Sequence, residues 1–397
     1  MLAIGSQSRG ADRAGVGRRG EGAQRRWDEE AALPEGSYAA LVCGLEVQRR
    51  AAMKKDNSVY VGCDLSDKFS EWCVLDSAGA VVETRRTKTT SHAIVTFMAK
   101  YPRALVVIEA GVHARWVEEV LSKAGHRVIV ANPRKVRLIW QRGTKSDRSD
   151  ALMLARLGRL DPTLLAPVQH RSRAAQLDLA SLRSRDVLVS MRTKLMNHVR
   201  GTLKPFGTRF ERCTPDAFPT IAEEMVPPEL LAALGPVLCV LRELNAQIAA
   251  HDRQIEQLGA SYPEVARFRE VEGVGAITAL AYRLTIEEPR RFKKSRFVAA
   301  FLGLVPGKDQ SGNSDPQRHI TKAGDRFLRK LLVQCAHRLL GPHGNDCDLR
   351  RWGLRLAERG GVNAKKRAIV AVARKLAVVL HAIWRSGEPF KPFRVAA

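Results

Sequence analysis

Acidic residues are in short supply. The 397-residue chain sets 41 Asp and Glu against 66 Lys and Arg, a net charge of +25. That imbalance points to a polyanionic partner, most simply nucleic acid and less directly an anionic membrane surface. Paired cysteines are missing. Cys43, Cys63, Cys73, Cys213, Cys239, Cys335 and Cys347 are scattered and none forms a CxxC pair, so neither a zinc site nor a disulfide framework is supported. A reduced cytoplasmic setting, beside the nucleoid, fits that usage. Long apolar runs are missing too. The most apolar late stretch, 368–384, is interrupted by Arg374 and Lys375, so no transmembrane span and no membrane partner is expected. Lysine is absent before Lys54. Residues 1–55 are rich in Gly and Arg, carry no sustained hydrophobic period and lack the basic start and apolar run of a secretory signal. They read as a disordered or spurious extension, with Met53 a candidate true start.

From residue 59 the pattern changes to α/β. Strands are expected at 59–64, 71–75, 80–87, 104–109 and 126–131, with helices at 91–100, capped by Ser91, and 112–124, closed by Gly125. The run 104–109 is continuously apolar, as in a strand buried on both faces. A basic passage, 134–142, then leads to a helix opening near Ala151. This β-β-β-α-β-α-β-α order is that of a ribonuclease H-like domain. Residues 172–262 read as a helical region. Its second helix spaces Val237, Leu241, Leu244, Ile248, His251, Ile255 and Leu258 as the seam of a coiled coil. That seam could fold onto the preceding helix or pair with another subunit. Residues 265–388 form a second, mostly helical functional region, and 389–397 a tail.

Two constellations carry chemistry. Asp64 and Glu109 close strands one and four, and Asp147 and Asp150 open the following helix three residues apart, on one helix face. In a ribonuclease H-like sheet these strands are neighbours, so four carboxylates would converge and repel unless they held divalent metal. Two Mg²⁺ ions roughly 3.5–4 Å apart would neutralise them and suit phosphoryl transfer. Read separately, each acid is a strand-end or helix-start residue. Lys145 reads equally as a phosphate contact and as surface charge. The second constellation is Ser311-Gly312 in the long loop 305–316, followed by Arg318, Lys322 and Arg326, cations able to stabilise charge on phosphorus. By itself Ser-Gly is a turn. The glycine turn at Gly273 and Gly275 enters a helix, where backbone N–H groups suit a phosphate; the plainer reading is tight helix packing.

In Asp64, Glu109 and Lys145-x-Asp147-x-x-Asp150-Ala151 the chain resembles the RuvC-like DEDD domain of the bacterial insertion-sequence transposases numbered family one hundred and ten. The region 271–384 resembles that family's C-terminal transposase domain, matching in the glycine turn, Gly303-Leu304-Val305-Pro306, Ser311-Gly312 and Ile320-Thr321-Lys322-x-Gly324-Asp325. The resemblance implies three parts: a RuvC-like α/β domain over 56–165, a helical coiled-coil middle, and a C-terminal transposase domain. It also implies Mg²⁺ on the four acids and a phosphoserine link to DNA through Ser311. A structured non-coding guide RNA would pair with donor and target DNA. A homo-oligomer, dimer or tetramer, would use the helical seam for assembly and compose a site from both domains. The chain departs from the family at Gln310, where a second serine is common, and at Arg318, where glycine is common. Ser314 is therefore a rival to Ser311. Two other functions stay open on the residues alone: a RuvC-like nuclease cutting branched DNA, and a basic nucleic-acid-binding protein without enzymatic activity. If Met53 is the start, mass spectrometry of the native protein will find no peptide from before it.

Overall fold

The computed structural model describes residues 59–139, 146–312, 314–316 and 318–393, with side chains left out at 137–139. The expectations for 1–55, including the Met53 start, and for Lys145 lie outside the described residues. The chain divides into two compact units between Gln169 and His170.

The first unit is a five-stranded sheet in the order β3-β2-β1-β4-β5. Strands β1 (Tyr60–Leu65), β2 (Phe69–Leu75) and β3 (Val81–Lys88) form an antiparallel meander. The turn between β2 and β3 is tied by Asp76 Oδ1, which accepts from the Gly79 and Ala80 amides at 2.7 and 2.9 Å. Strand β4 (Leu105–Glu109) runs parallel to β1, and β5 (Arg127–Ala131) parallel to β4. Four of the five β4 residues are buried, as its unbroken apolar run requires. Helices α1 (Ser91–Met98) and α2 (Ala114–Lys123) cover one face, packing Ile94, Phe97, Met98, Val117 and Leu121 onto Val61, Cys63, Val106 and Ile108. Thr90, not Ser91, caps α1. Its backbone is extended and its hydroxyl accepts from Ala93 N, whereas Ser91 is already the first helical residue. After α2 comes the expected glycine, Gly125, at φ +85.

The described start of the basic passage lies in a short helix α3 (Pro133–Ile139), and α4 (Asp147–Leu160) covers the second face of the sheet. Contact there is backbone to backbone. A Cβ on Gly62 would lie 2.0 Å from Ala151 O and 2.4 Å from Ala155 N, and one on Gly158 2.5 Å from Val107 Cγ2. Glycine at these two positions lets α4 sit directly on β1 and β4.

The second unit begins with two long helices, α5 (Arg173–Leu203) and α7 (Pro228–Ala260), with α6 (Phe218–Met225) between them. Pro205 and Gly207 end α5 as expected, through a tight turn at Lys204–Phe206 and a left-handed Gly207 at φ +78. Pairing of Arg185 with Asp252 and Arg192 with Asn245 makes α5 and α7 antiparallel. The seam of α7 is therefore occupied within the chain. Leu234, Leu238, Leu241, Leu244, Ile248 and Ile255 are buried, while Val237 and Leu258 sit at its margin. Of the two partners open to the seam, the preceding helix is the one it has within the chain. By length and composition α7 is also the one described helix that could cross a membrane, but its apolar stripe is spent on α5 and α6.

The remainder of the unit comprises α8 (Pro263–Arg269), α9 (Ala276–Ile286), α10 (Arg296–Phe301), α11 (Arg326–Leu340), α12 (Asp348–Glu358) and α13 (Ala364–Ser386). As its periodicity implies, α13 closes the core, burying Val372, Leu376, Leu380 and Ile383 and accepting the Tyr282 hydroxyl on Ala377 O at 2.8 Å.

Gly62→Val should destabilise the first unit by about 3 kcal/mol or more, because backbone must shift. Gly201→Ala, inside α5 with open space around it, should instead stabilise by up to about 1 kcal/mol. Urea denaturation of the two variants checks the opposite signs.

Candidate functional site

The acids occupy one edge of the first unit. Register pairs Cys63 of β1 with Ile108 of β4, so Asp64 and Glu109 are the next residues in step at the C-terminal ends of adjacent parallel strands. Side chains alternate along a strand. Gly62 and Val107 face α4, and Asp64 and Glu109, two residues on, face the same way. Cys63 points to the opposite face; burial pushes its thiol well up, and the neighbouring Asp64 charge adds to the shift.

Helix α4 begins over that edge. Ala151 lies against Gly62, and Gly158 reaches back to Val107 and Leu105, so the helix runs away from the strand ends. Ser146 caps it, its hydroxyl accepting from Ser149 N at 3.3 Å. Asp147 and Asp150 fall in the first turn, Asp147 exposed and Asp150 half-buried. Favourable dipole placement explains acids at these positions individually. It does not explain why the helix that carries both is seated by Ala151 on Gly62, two residues before Asp64.

All four donors are carboxylate oxygens, the hard ligands that suit Mg²⁺. The chemistry of this donor set suits a divalent cation. Among the described residues, no three His, Cys, Asp or Glu side chains stand together as a finished metal cage. The structure brings together the elements that carry the acids, not a closed cluster of their oxygens.

The serine lies on a projecting arm of the second unit. Pro306 bridges Ile320, and Gly307 N donates to His319 O at 2.9 Å. At the far end Ser311 and Ser314 exchange two backbone hydrogen bonds of 3.0 Å, with Gly312 at φ +54 in the turn. Both serines are exposed. The arm thus presents Ser311 and its rival Ser314 at one tip. Arg318 forms an ion pair with Asp309 across the arm. Lys322 sits at the base in a left-handed conformation, φ +53, and Arg326 is exposed in the first turn of α11.

The base of the arm is locked by groups that composition did not single out. A Cβ on Gly303 would fall 2.2 Å from Ala323 N, and one on Gly324 1.9 Å from Phe301 O. Arg329 donates to Leu302 O and Ala323 O at 2.9 and 2.8 Å. Asp325 caps α11 by accepting from Leu328 N at 2.9 Å, and receives Arg171 and Arg183 at 3.2 and 3.1 Å. The signal for Asp325 was its place before a helix; its distant arginine partners left no local trace.

The glycine turn divides. Gly273, at φ +82, has a packing reason: a Cβ there would meet Cys335 O at 3.0 Å. Gly275 is exposed before α9 with nothing within 4 Å of a Cβ, and its backbone hydrogen-bonds the Cys335 thiol.

A family model described as transposase, of the DEDD type, matches residues 61–207, and a second, described as transposase IS116/IS110/IS902 family, matches 265–346. A probable family 20 transposase of Pseudomonas aeruginosa is 31% identical over 340 residues, 84% of this chain and 98% of that protein. The transposase for insertion sequence element IS1111A of Coxiella burnetii is 29% identical over 351 residues, covering 87% of this chain and 94% of its own. The pilin gene-inverting protein of Moraxella lacunata is 25% identical over 67% of this chain and 74% of that one. Thermus thermophilus RuvC, solved with a Holliday junction substrate, aligns over 25% of this chain and 90% of its own, at 14% identity and a TM-score of 0.21. With an α/β ribonuclease H-like domain followed by helical regions, the chain belongs to the IS116/IS110/IS902 family of transposases.

Proposed function

We propose that this transposase cuts and rejoins DNA with two groups of residues: Asp64, Glu109, Asp147 and Asp150 holding Mg²⁺, and Ser311 acting as nucleophile. The observation that carries the reading is the common face of Asp64 and Glu109 beside the first turn of α4. When bound there, two Mg²⁺ ions would neutralise the acids and polarise phosphoryl oxygens. The acids' own part is to present oxygen ligands from three elements whose spacing is fixed by backbone contact.

Ser311 Oγ attacks a DNA phosphorus and gives up its proton to solvent. A P–O bond to one deoxyribose oxygen breaks, and that oxygen takes up a proton. Attack by a different deoxyribose hydroxyl reverses the step and rejoins the strand. One ester bond is exchanged for another, so no nucleotide cofactor is needed. Exposure at the tip of the arm supports the role, since a strand can approach without the arm unfolding. Arg318, Lys322 and Arg326 would stabilise the charge building on phosphorus, Arg318 exchanging Asp309 for phosphate.

The net charge of +25 supports nucleic-acid partners in the plural: donor DNA, target DNA and a structured guide RNA that supplies sequence recognition. Gly275 and Lys145 would add backbone contacts, Gly273 fewer because α11 covers it. A relative named for gene inversion fits recombination, which needs rejoining as well as cutting. A dimer or tetramer would assemble through surfaces other than the α5–α7 seam. A transposase is an enzyme acting on DNA, which sets aside the purely binding role. The runner-up is a metal-dependent nuclease for branched DNA that uses water alone.

Asp64→Asn and Asp147→Asn should each lower DNA cleavage on the order of 10²–10³-fold, the scale of losing one charge-stabilising group, with unfolding midpoints unchanged. Ser311→Ala should abolish a denaturant-stable protein–DNA adduct and strand exchange, while Ser314→Ala retains both. Cleavage undiminished in Ser311→Ala would favour the nuclease. Duplex affinity should fall steeply with salt, with a log–log slope of about 0.9 for each phosphate neutralised.

A further inference from the structure

A cavity at the end of α5 is used by neither the acids nor the serine arm. It is a half-open hollow of ≈ 490 Å³ lined by Arg200, Lys204, Thr208, Arg209 and Phe210. Three cations, a hydroxyl and a ring line it, and no carboxylate does.

Its walls are built. Phe210 packs on the buried Phe218 with ring centroids 5.0 Å apart, and the Arg200 guanidinium lies 4.8 Å over the Phe218 ring. Gly207 and Thr208 amides donate to Lys204 O and Leu203 O at 3.1 and 3.3 Å. Two carbonyls at the helix end are thereby occupied, which blunts the partial negative charge that would oppose an anion.

Three cations elsewhere on the α5–α7 hairpin are matched by acids. Arg185 is matched by Asp252, Arg192 by Asp216 and Arg242 by Glu223. Among the described residues, Arg200, Lys204 and Arg209 form no ion pair with the protein. Like charges gathered round one cavity repel unless they share an anion. Beside them Phe206 is 53% exposed, in the tight turn between Lys204 and Thr208. An aromatic face in water next to cations is the pairing used on single strands, where bases stack on the ring and cations follow the backbone.

The geometry points to a binding site for single-stranded nucleic acid: Arg200, Lys204 and Arg209 take a phosphate of the strand, and Phe206 stacks one of its unpaired bases. The volume suits a nucleotide lifted out of its stack. A duplex, whose bases are already stacked, offers Phe206 nothing. The site is separate from the proposed chemistry and stands or falls independently of it.

Fluorescence anisotropy on the full chain tests this with a short single-stranded RNA, the same sequence as single-stranded DNA, and duplex DNA, across a salt series. For the double variant Lys204→Ala with Arg209→Ala, the log–log salt slope on single strands should fall by up to about 0.7, the share of the one phosphate the site neutralises. Phe206→Ala should weaken single-strand binding roughly tenfold and leave duplex binding unchanged. Circular dichroism matching the parent excludes misfolding as the cause. A loss confined to RNA or to DNA identifies the strand that fills the site, and either supports the proposal. An unchanged slope in the double variant, or equal losses on duplex and single strand in Phe206→Ala, overturns it.

Discussion

Direct contact between the backbone of α4 and the middle of β1 fixes the placement of everything in the first unit. No side chain separates Gly62 from the Ala151 carbonyl, so the helix can neither slide nor rise without losing its seat. From that seat the rest follows by counting. Two residues past Gly62 is Asp64, and just before Ala151 is Asp150. Parallel pairing of β1 with β4 brings Glu109 level with Asp64. Acids separated by about eighty residues of chain are thus assigned one sheet face by local geometry alone.

Gathering carboxylates on one edge is electrostatically costly. Helix dipole and capping by Ser146 favour Asp147 and Asp150 only modestly. A divalent ion is the chemically natural partner for such a donor set. The second unit meets a different demand. Its serine must be exposed, yet the arm bearing it must hold a shape. Interlocked glycines at 303 and 324, the Arg329 bonds to two carbonyls and the Asp325 cap fix the base, while two backbone hydrogen bonds between Ser311 and Ser314 close the tip.

Much of the α/β domain was legible because its strands are punctuated by turns and its central strand is apolar throughout. The helix positions followed from periodicity, though Thr90 took the cap expected of Ser91, since one residue decides which hydroxyl has extended backbone. The seam on α7 was also legible, but not its partner: a hydrophobic stripe states that it will be covered, not by which helix. The pairs Arg185–Asp252 and Arg192–Asn245 settle that, and they join positions more than fifty residues apart. The role of Gly62 was invisible for the same reason, because the helix it admits begins far downstream. The cavity near Arg209 depends on a fold-back at Gly207 whose consequence appears only in three dimensions.

Site-directed hydroxyl-radical cleavage bears most directly on the claim that the acids hold one metal centre. Fe²⁺ placed in the Mg²⁺ site, with ascorbate and peroxide, cuts nearby backbone. Three sets of cuts, near residue 64, near 109 and across 147–150, all suppressed by excess Mg²⁺, are the predicted result. Cuts at one of these segments without the others, or a pattern that Mg²⁺ does not suppress, would contradict it.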